Sequence, residues 1–443
     1  MDELVSKIRD LSKEELVRYE ENLMVGGGTP GPTIVSGKGV RLFDDDGKSY
    51  IDCTSQSWAM YLGFANEEIR QTVYDHMGTL SHIHQGFHTK QRFALAHKLA
   101  SIAPEHLNRV SFTAGGSLAV EAAMKIALKN VPGSKMFCSL WDAYHGSSLN
   151  TSGASWIATK SNGNFTGQKN FLAGMNTNFV RLPNPYCYRC PFKKEVETCG
   201  IECAEFSALM IQKGVAGPLA GILIEPVQAS GGQIPLPKKY LQRMRQIADE
   251  FGALLIFDEI QTYLRIGDWF GSTYYDVEPD IIVLGKGLGA GSPIAAVIIH
   301  DRLEGFGMGA EELHTFANNS VSQITALKQL EIVERDDILT NTNVMGKRIA
   351  DGLNGLKEKY PVIGDVRQVG LHVGAEMIDP VTGGNMETGL AVKIRDTAIK
   401  NGMILGTGGV NKALLKFKPP LIVSADEVDE IIDIFDRTLK ELF

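Results

Sequence analysis

Two short apolar runs, each stopped by a charged residue, constrain this chain more than any other feature. Ala253–Phe257 ends in Asp258, and Ile281–Leu284 ends in Gly285 and Lys286. Runs of this length with no polar alternation predict strands buried on both faces, as in a parallel sheet covered by helices. In such sheets ligands occupy the crevice beyond the carboxyl ends of the strands, so a charged residue just after the last apolar one is delivered into it. Asp258 and Lys286 are therefore expected to face one site.

An amine and a carboxylate at neighbouring strand ends suit a pyridine aldehyde cofactor, pyridoxal 5'-phosphate. Lysine condenses with its aldehyde as a Schiff base, while an aspartate at the ring nitrogen keeps that nitrogen protonated and makes the ring an electron sink. Taken singly, each residue has a plainer reading. Asp258 can cap a following helix, and Lys286 can be a solvated residue in a glycine-rich turn.

The segments FDEIQ, GKGLGAGSPI, ILIEPVQASGG, YHG and GDVRQVGLHVGAE decide between these readings. Together they resemble the class III aminotransferases of PLP fold type I, and several segments are similar to 2,2-dialkylglycine decarboxylase. The resemblance extends from about Lys38 to the C-terminus. It implies an α/β fold: a large domain with a mainly parallel sheet over residues 66–329, and a smaller α+β domain built from residues 1–65 and 330–443.

The same resemblance implies the roles of individual residues. Lys286 is the catalytic lysine and Asp258 faces the ring nitrogen. Gln261 bonds the phenolic oxygen, Tyr144 stacks on the ring, and Gly116 with Ser117 holds the phosphate. Glycine there lets the backbone approach a ligand, and the free amides at a helix start attract an anion. The family usually reads NSGSE where this chain has AGGSL, which spares Gly116 and Ser117 and puts Leu118 in place of a glutamate. Thr315 matches the threonine that reaches the phosphate of a neighbouring subunit, which implies a homodimer with shared sites.

Two departures bear on the substrate. In CTSQSWAMYLG, Ser57 stands where the decarboxylase has an assisting glutamine, with Gln56 one position early, and Trp58 is the side chain expected to wall the substrate pocket. In LLKFKPPL, Lys416 stands where the family has the arginine that grips the α-carboxylate. A lysine cannot reproduce the planar two-bond fork of arginine. It leaves three readings: Lys416 binds an anion as a point charge, another cation has taken over, or the donor lacks an α-carboxylate. Ser230 replaces a glutamate switch found in many family members.

The remaining segments are read from pattern. Residues 1–23 predict one or two amphipathic helices, and VGGGTPGP at 25–32 is a breaker. Residues 34–52 alternate like two strands around DDDGK. Helical periodicity marks 66–76, 90–102, the segment from Ser117 through Leu128, and 238–251. His82, His84 and His88 lie in a loop with no acidic or cysteine partner nearby in sequence. Cys187, Cys190, Cys199 and Cys203 have spacings compatible with zinc, but the family pattern requires no metal and none is assigned.

The chain of 443 residues is 44% hydrophobic and 22% charged, enough for a large core, and its net charge of -8 argues against nucleic-acid or anionic-membrane partners. No run of about 18 apolar residues and no secretory leader is present, so a cytoplasmic protein is expected. The expected function is a pyridoxal-phosphate-dependent aminotransferase moving an amino group from an amine or amino acid to a 2-keto acid through Lys286. The alternatives on the same scaffold are a racemase or epimerase, a β-elimination lyase or a decarboxylase. A non-catalytic binding protein is the remote one.

Overall fold

The computed structural model describes residues 4–8, 11–24, 31–155, 178–307, 311–387 and 389–443. Most of the 25–32 breaker lies outside the described residues. Residues up to Thr33 form a unit of their own. In it, helix Lys13–Glu20 starts on a capping box, with Ser12 Oγ accepting from the Glu15 amide and Glu15 accepting from the Ser12 amide.

The unit from Ile34 to Phe443 is built on a seven-stranded sheet. Its strands lie in the order Leu107–Thr113, Ala295–His300, Ile281–Leu284, Leu254–Asp258, Leu219–Ile224, Met136–Leu140 and Phe179–Leu182. Only Ala295–His300 runs against the rest. Both faces are covered. Leu254 and Ile256 pack with Ala119, Val120 and Ala123 of helix Gly116–Asn130, while Leu255 and Phe257 pack with Leu241 and Met244 of helix Lys238–Glu250. Alternate residues thus meet apolar layers on opposite sides, which is why the run carries no polar position.

Two smaller sheets join distant parts of the chain. Strands Ile34–Lys38, Arg41–Asp44 and Ser49–Asp52 form one sheet, completed by Met403–Ile404 pairing parallel to Ser49–Asp52. The predicted pair of strands is therefore three, because Gly39, at φ 57°, turns the chain before Val40. The GDVRQVGLHVGAE segment lies in an antiparallel hairpin of Ile363–Val369 and His372–Met377 about Gly370, at φ 53°. Leu414–Phe417 pairs with the second of these, so Lys416 lies opposite Gly374 on one side and Gly406 on the other.

Candidate active site

Strands Leu254–Asp258 and Ile281–Leu284 pair in parallel with Asp258 level with Val283, which brings Asp258 and the following Lys286 to the same end of the sheet. Both line a cavity of about 230 Å³, together with Gly116, Ser117, Tyr144, His145, Glu225 and Gln261. A larger cavity of about 440 Å³, lined by His84, Arg92, Arg109 and Glu312 among others, has no such lysine and carboxylate pair facing across it.

Asp258 is buried and bonded at both oxygens. His145 Nδ1 lies 2.8 Å from Oδ2, and the Ile260 amide donates to Oδ1 at 3.1 Å. Burial disfavours protonation of His145, yet the Asp258 carboxylate outweighs it, aided by Glu225, and the net shift of the imidazole is upward. Glu225 accepts from the amides of Tyr144 and Ala229, and burial followed by the nearby Asp258 carries its pKa up to about 6. Lys286 is held below the ordinary lysine range by burial, against the pull of Asp258 and Glu225. A lysine that sheds its proton more readily is a stronger candidate base near neutrality.

The opposite wall is the start of helix Gly116–Asn130. Its N-cap, Gly115, offers no side-chain acceptor, so the first amides remain available to an anion. Ser117 Oγ accepts from the Ser147 amide at 3.2 Å. Close packing explains the glycine at 146: at φ 126°, an added Cβ would lie 2.5 Å from Ser117 Oγ and 2.7 Å from Thr151 Oγ1.

Trp58 and Lys416 lie outside this lining and are tied to it through a residue that sequence reading passed over. Lys418 is fully buried, and its ammonium donates to Gln261 Oε1 at 3.1 Å and meets His372 Nε2 at 2.9 Å. An ammonium can only donate, so Gln261 turns its oxygen to Lys418 and its amide hydrogens elsewhere. Burial, then Lys416 and Arg265, push Lys418 well below the lysine range, and His372 is likewise lowered by burial and then by Lys418. Lys418 follows the last residue of strand Leu414–Phe417, two positions after Lys416, and no local pattern sets it apart.

Trp58 sits on a strained turn. Ser55, Gln56, Ser57 and Trp58 all have positive φ, between 41° and 65°. A left-handed run of non-glycine residues costs roughly 1–2 kcal/mol per residue, so the surroundings must impose it. They do: the Trp58 amide donates to Thr54 O, Ser55 Oγ donates to Lys418 O at 2.7 Å, and Arg265 Nη2 donates to Ser55 Oγ at 2.9 Å. Arg265, given no role from sequence, is fully buried over the Tyr61 ring and also donates to Leu371 O and Pro419 O. Gln56 and Ser57 are exposed.

Thr315 is exposed and outside the cavity. Cys187 and Cys190 flank a single turn, and Cys199 and Cys203 flank the start of helix Glu202–Gly214. All six cysteines are free thiols, and among the described residues no three of them converge to within 4.8 Å. His106, His300 and Asp301 do converge, at the surface. Among the described residues no helix is long and apolar enough to cross a membrane.

Residues 28–439 match the family described as Aminotransferase class-III. A probable aminotransferase of Mycobacterium tuberculosis is 33% identical over 94% of this chain and 91% of its own. A leucine/methionine racemase of Thermococcus litoralis is 32% identical over 92% and 90%. A solved aminotransferase of Bacillus anthracis superposes with a TM-score of 0.86 at 26% identity, over 97% of this chain and 98% of that one.

Proposed function

Because the chain belongs to the class III aminotransferase family, whose members use pyridoxal phosphate, we propose a role for each side chain of its cavity. The enzyme is an aminotransferase that moves an amino group from an amine donor to a keto acid. When bound, the cofactor supplies an electron sink for negative charge developing on the substrate carbon.

The residues fit that group. Lys286 is the amine that would bond its aldehyde, and Asp258, oriented by His145, would serve its ring nitrogen. Tyr144 would cover one ring face, Gln261 would offer its amide hydrogens to the phenolic oxygen, and Gly116 with Ser117 would receive the phosphate at the uncapped helix start. Lys286, its proton affinity reduced by burial, would act as the base that takes the proton from the substrate carbon and as the acid that gives it back. Trp58 and Lys416 wall the substrate side.

The observation that carries this reading is the pairing of Asp258 and Lys286 across one cavity whose third wall is an uncapped helix start. Thr315, exposed on its own protomer, is free to serve a second copy, which supports a homodimer with shared sites. The large domain is assigned to residues 66–329 and the smaller one to 1–65 and 330–443. Six free thiols suit a reducing compartment such as the cytoplasm.

A second reading, racemisation, is favoured by the racemase at 32% identity. It needs the same proton abstraction but returns the proton to the other face. The deciding experiment supplies the holoenzyme with single-enantiomer amines, with and without pyruvate or 2-oxoglutarate, and follows keto product and chirality. Keto product that depends on the keto acid supports transamination. Loss of chirality without a keto acid overturns it, and keto-acid-dependent activity that survives Lys286→Ala overturns the role of Lys286.

A further inference from the structure

Gln261 lines the cavity, and a side-chain amide there can face the cofactor with either end. Its oxygen accepts and its nitrogen donates, so the two orientations act in opposite ways. A phenolic oxygen carrying negative charge is stabilised by the nitrogen end and repelled by the oxygen end.

Two buried residues behind Gln261 decide between them. Lys418 Nζ lies 3.1 Å from Gln261 Oε1 and 2.9 Å from His372 Nε2. The three residues arrive from separate elements: Gln261 follows strand Leu254–Asp258, His372 opens strand His372–Met377, and Lys418 follows strand Leu414–Phe417. His372 Nδ1 is buried without a partner. A proton on it would be an orphaned donor, so the ring carries its proton on Nε2, facing Lys418. Burial, then Lys416 and Arg265, favour the uncharged Lys418 amine. Its one lone pair is then filled by His372, and its hydrogens are left for Gln261 Oε1. A protonated Lys418 has no lone pair at all, with the same consequence for Gln261. Among the described residues the Gln261 amide nitrogen has no hydrogen-bond partner, which leaves its hydrogens for the cavity.

We infer that Lys418, backed by His372, is a positioning residue that fixes Gln261 with its amide hydrogens toward the phenolic oxygen of the cofactor. The inference rests on the aminotransferase reading and adds a residue behind its cofactor wall. Donation to that oxygen favours its negatively charged form, so the cofactor joined to Lys286 gives up its proton at lower pH than it would without Lys418. Around these groups stand Lys416, Arg265, Lys286 and Glu225, which act on Lys418, and Asp258 and His145 in the same cavity. All six are kept in every variant compared, so their contributions cancel.

The test follows cofactor absorbance against pH in four holoenzymes: wild type, Lys418→Met, Gln261→Met and the double variant. Lys418→Met is expected to raise the titration midpoint by about one pH unit, the scale of one hydrogen bond to a charged group. Gln261→Met should raise it by a similar amount, and adding Lys418→Met to Gln261→Met should move it by less than about 0.3 unit. Pyridoxal phosphate affinity, from fluorescence titration of the four apoenzymes, should follow the same pattern, with about a fivefold loss in each single variant and no further loss in the double. If the midpoint falls outside the pH range in which the protein stays folded, the affinities carry the test. If Lys418→Met fails to fold by circular dichroism, Lys418→Leu takes its place. No change in Lys418→Met, or no change in Gln261→Met, would overturn the inference. A change of the same size with and without Gln261 would overturn it too, because Lys418 would then act on the cofactor directly. A chain that binds no pyridoxal phosphate loses the aminotransferase reading and the inference together. One that binds it and transfers amino groups, yet is indifferent to Lys418, loses only the positioning role.

Discussion

Replacing Lys416 by methionine should stabilise the substrate-free enzyme, and the amount should depend on pH. The structure puts the Lys416 pKa at about 8 against an ordinary 10.5, first because burial strips its water and second because Lys286 repels it. Each decade of that difference is worth about 1.4 kcal/mol, so holding this ammonium in the folded state costs about 3 kcal/mol at neutral pH. Attraction of the ammonium to the Trp58 ring offsets up to about 2 kcal/mol of it. Methionine has a similar length and no charge, so Lys416→Met should gain about 1 to 3 kcal/mol at pH 7. The sign follows from proton counting. Between about 8 and 10.5 the unfolded chain holds more of this proton than the folded one, so wild-type stability rises with pH across that window. The advantage of Lys416→Met should therefore be complete below the folded pKa and shrink above it. Paired urea unfolding of both proteins at one protein concentration, at neutral pH and near pH 10, measures it. A variant less stable than wild type at pH 7, or a difference that stays constant with pH, would refute the reasoning.

Gly146→Ala should weaken pyridoxal phosphate binding at least about tenfold, because the new methyl must displace Ser117 or Thr151 at a backbone angle that disfavours a side chain; fluorescence titration of the apoenzyme measures it, and unchanged affinity would remove Ser117 from the cofactor wall. Mixing subunits carrying Lys286→Ala with subunits carrying Thr315→Ala should rebuild one intact site per mixed dimer and recover up to about a quarter of wild-type activity, an outcome tied to sites shared across a two-fold. No recovery after verified exchange would place Thr315 outside the partner's site. Ser57→Gly should be neutral or stabilising by up to about 1 kcal/mol in thermal unfolding, since the left-handed φ of 61° suits glycine; clear destabilisation would mean that the serine side chain supports the turn.

Much of the site was legible because strand ends are written in local sequence. The apolar runs before Asp258 and Lys286 announce buried parallel strands, and the glycines at 115 and 116 before a helical period announce an anion-binding start. Lys418 and Arg265 were not legible. A lysine two positions after another looks like an ordinary strand charge until the fold covers it, and Arg265 sits in a turn with nothing local to signal its burial. The hydrogen bond from His145 to Asp258 likewise spans 113 positions.

What the sequence determined by itself was the periodic part: the buried strands that carry Asp258 and Lys286, the helix after Gly116, where the parallel sheet must end, and which family the motifs resemble. Those signals depend on side-chain alternation over a few residues, which any short window contains. Only the tertiary structure decided the electrostatics. Whether Lys416 and Lys418 are solvated or stripped of water, whether a carboxylate meets them, and how four left-handed residues at Ser55–Trp58 are held in place depend on groups far apart in the chain. Desolvation is a property of everything packed around a charge, and no local pattern records it.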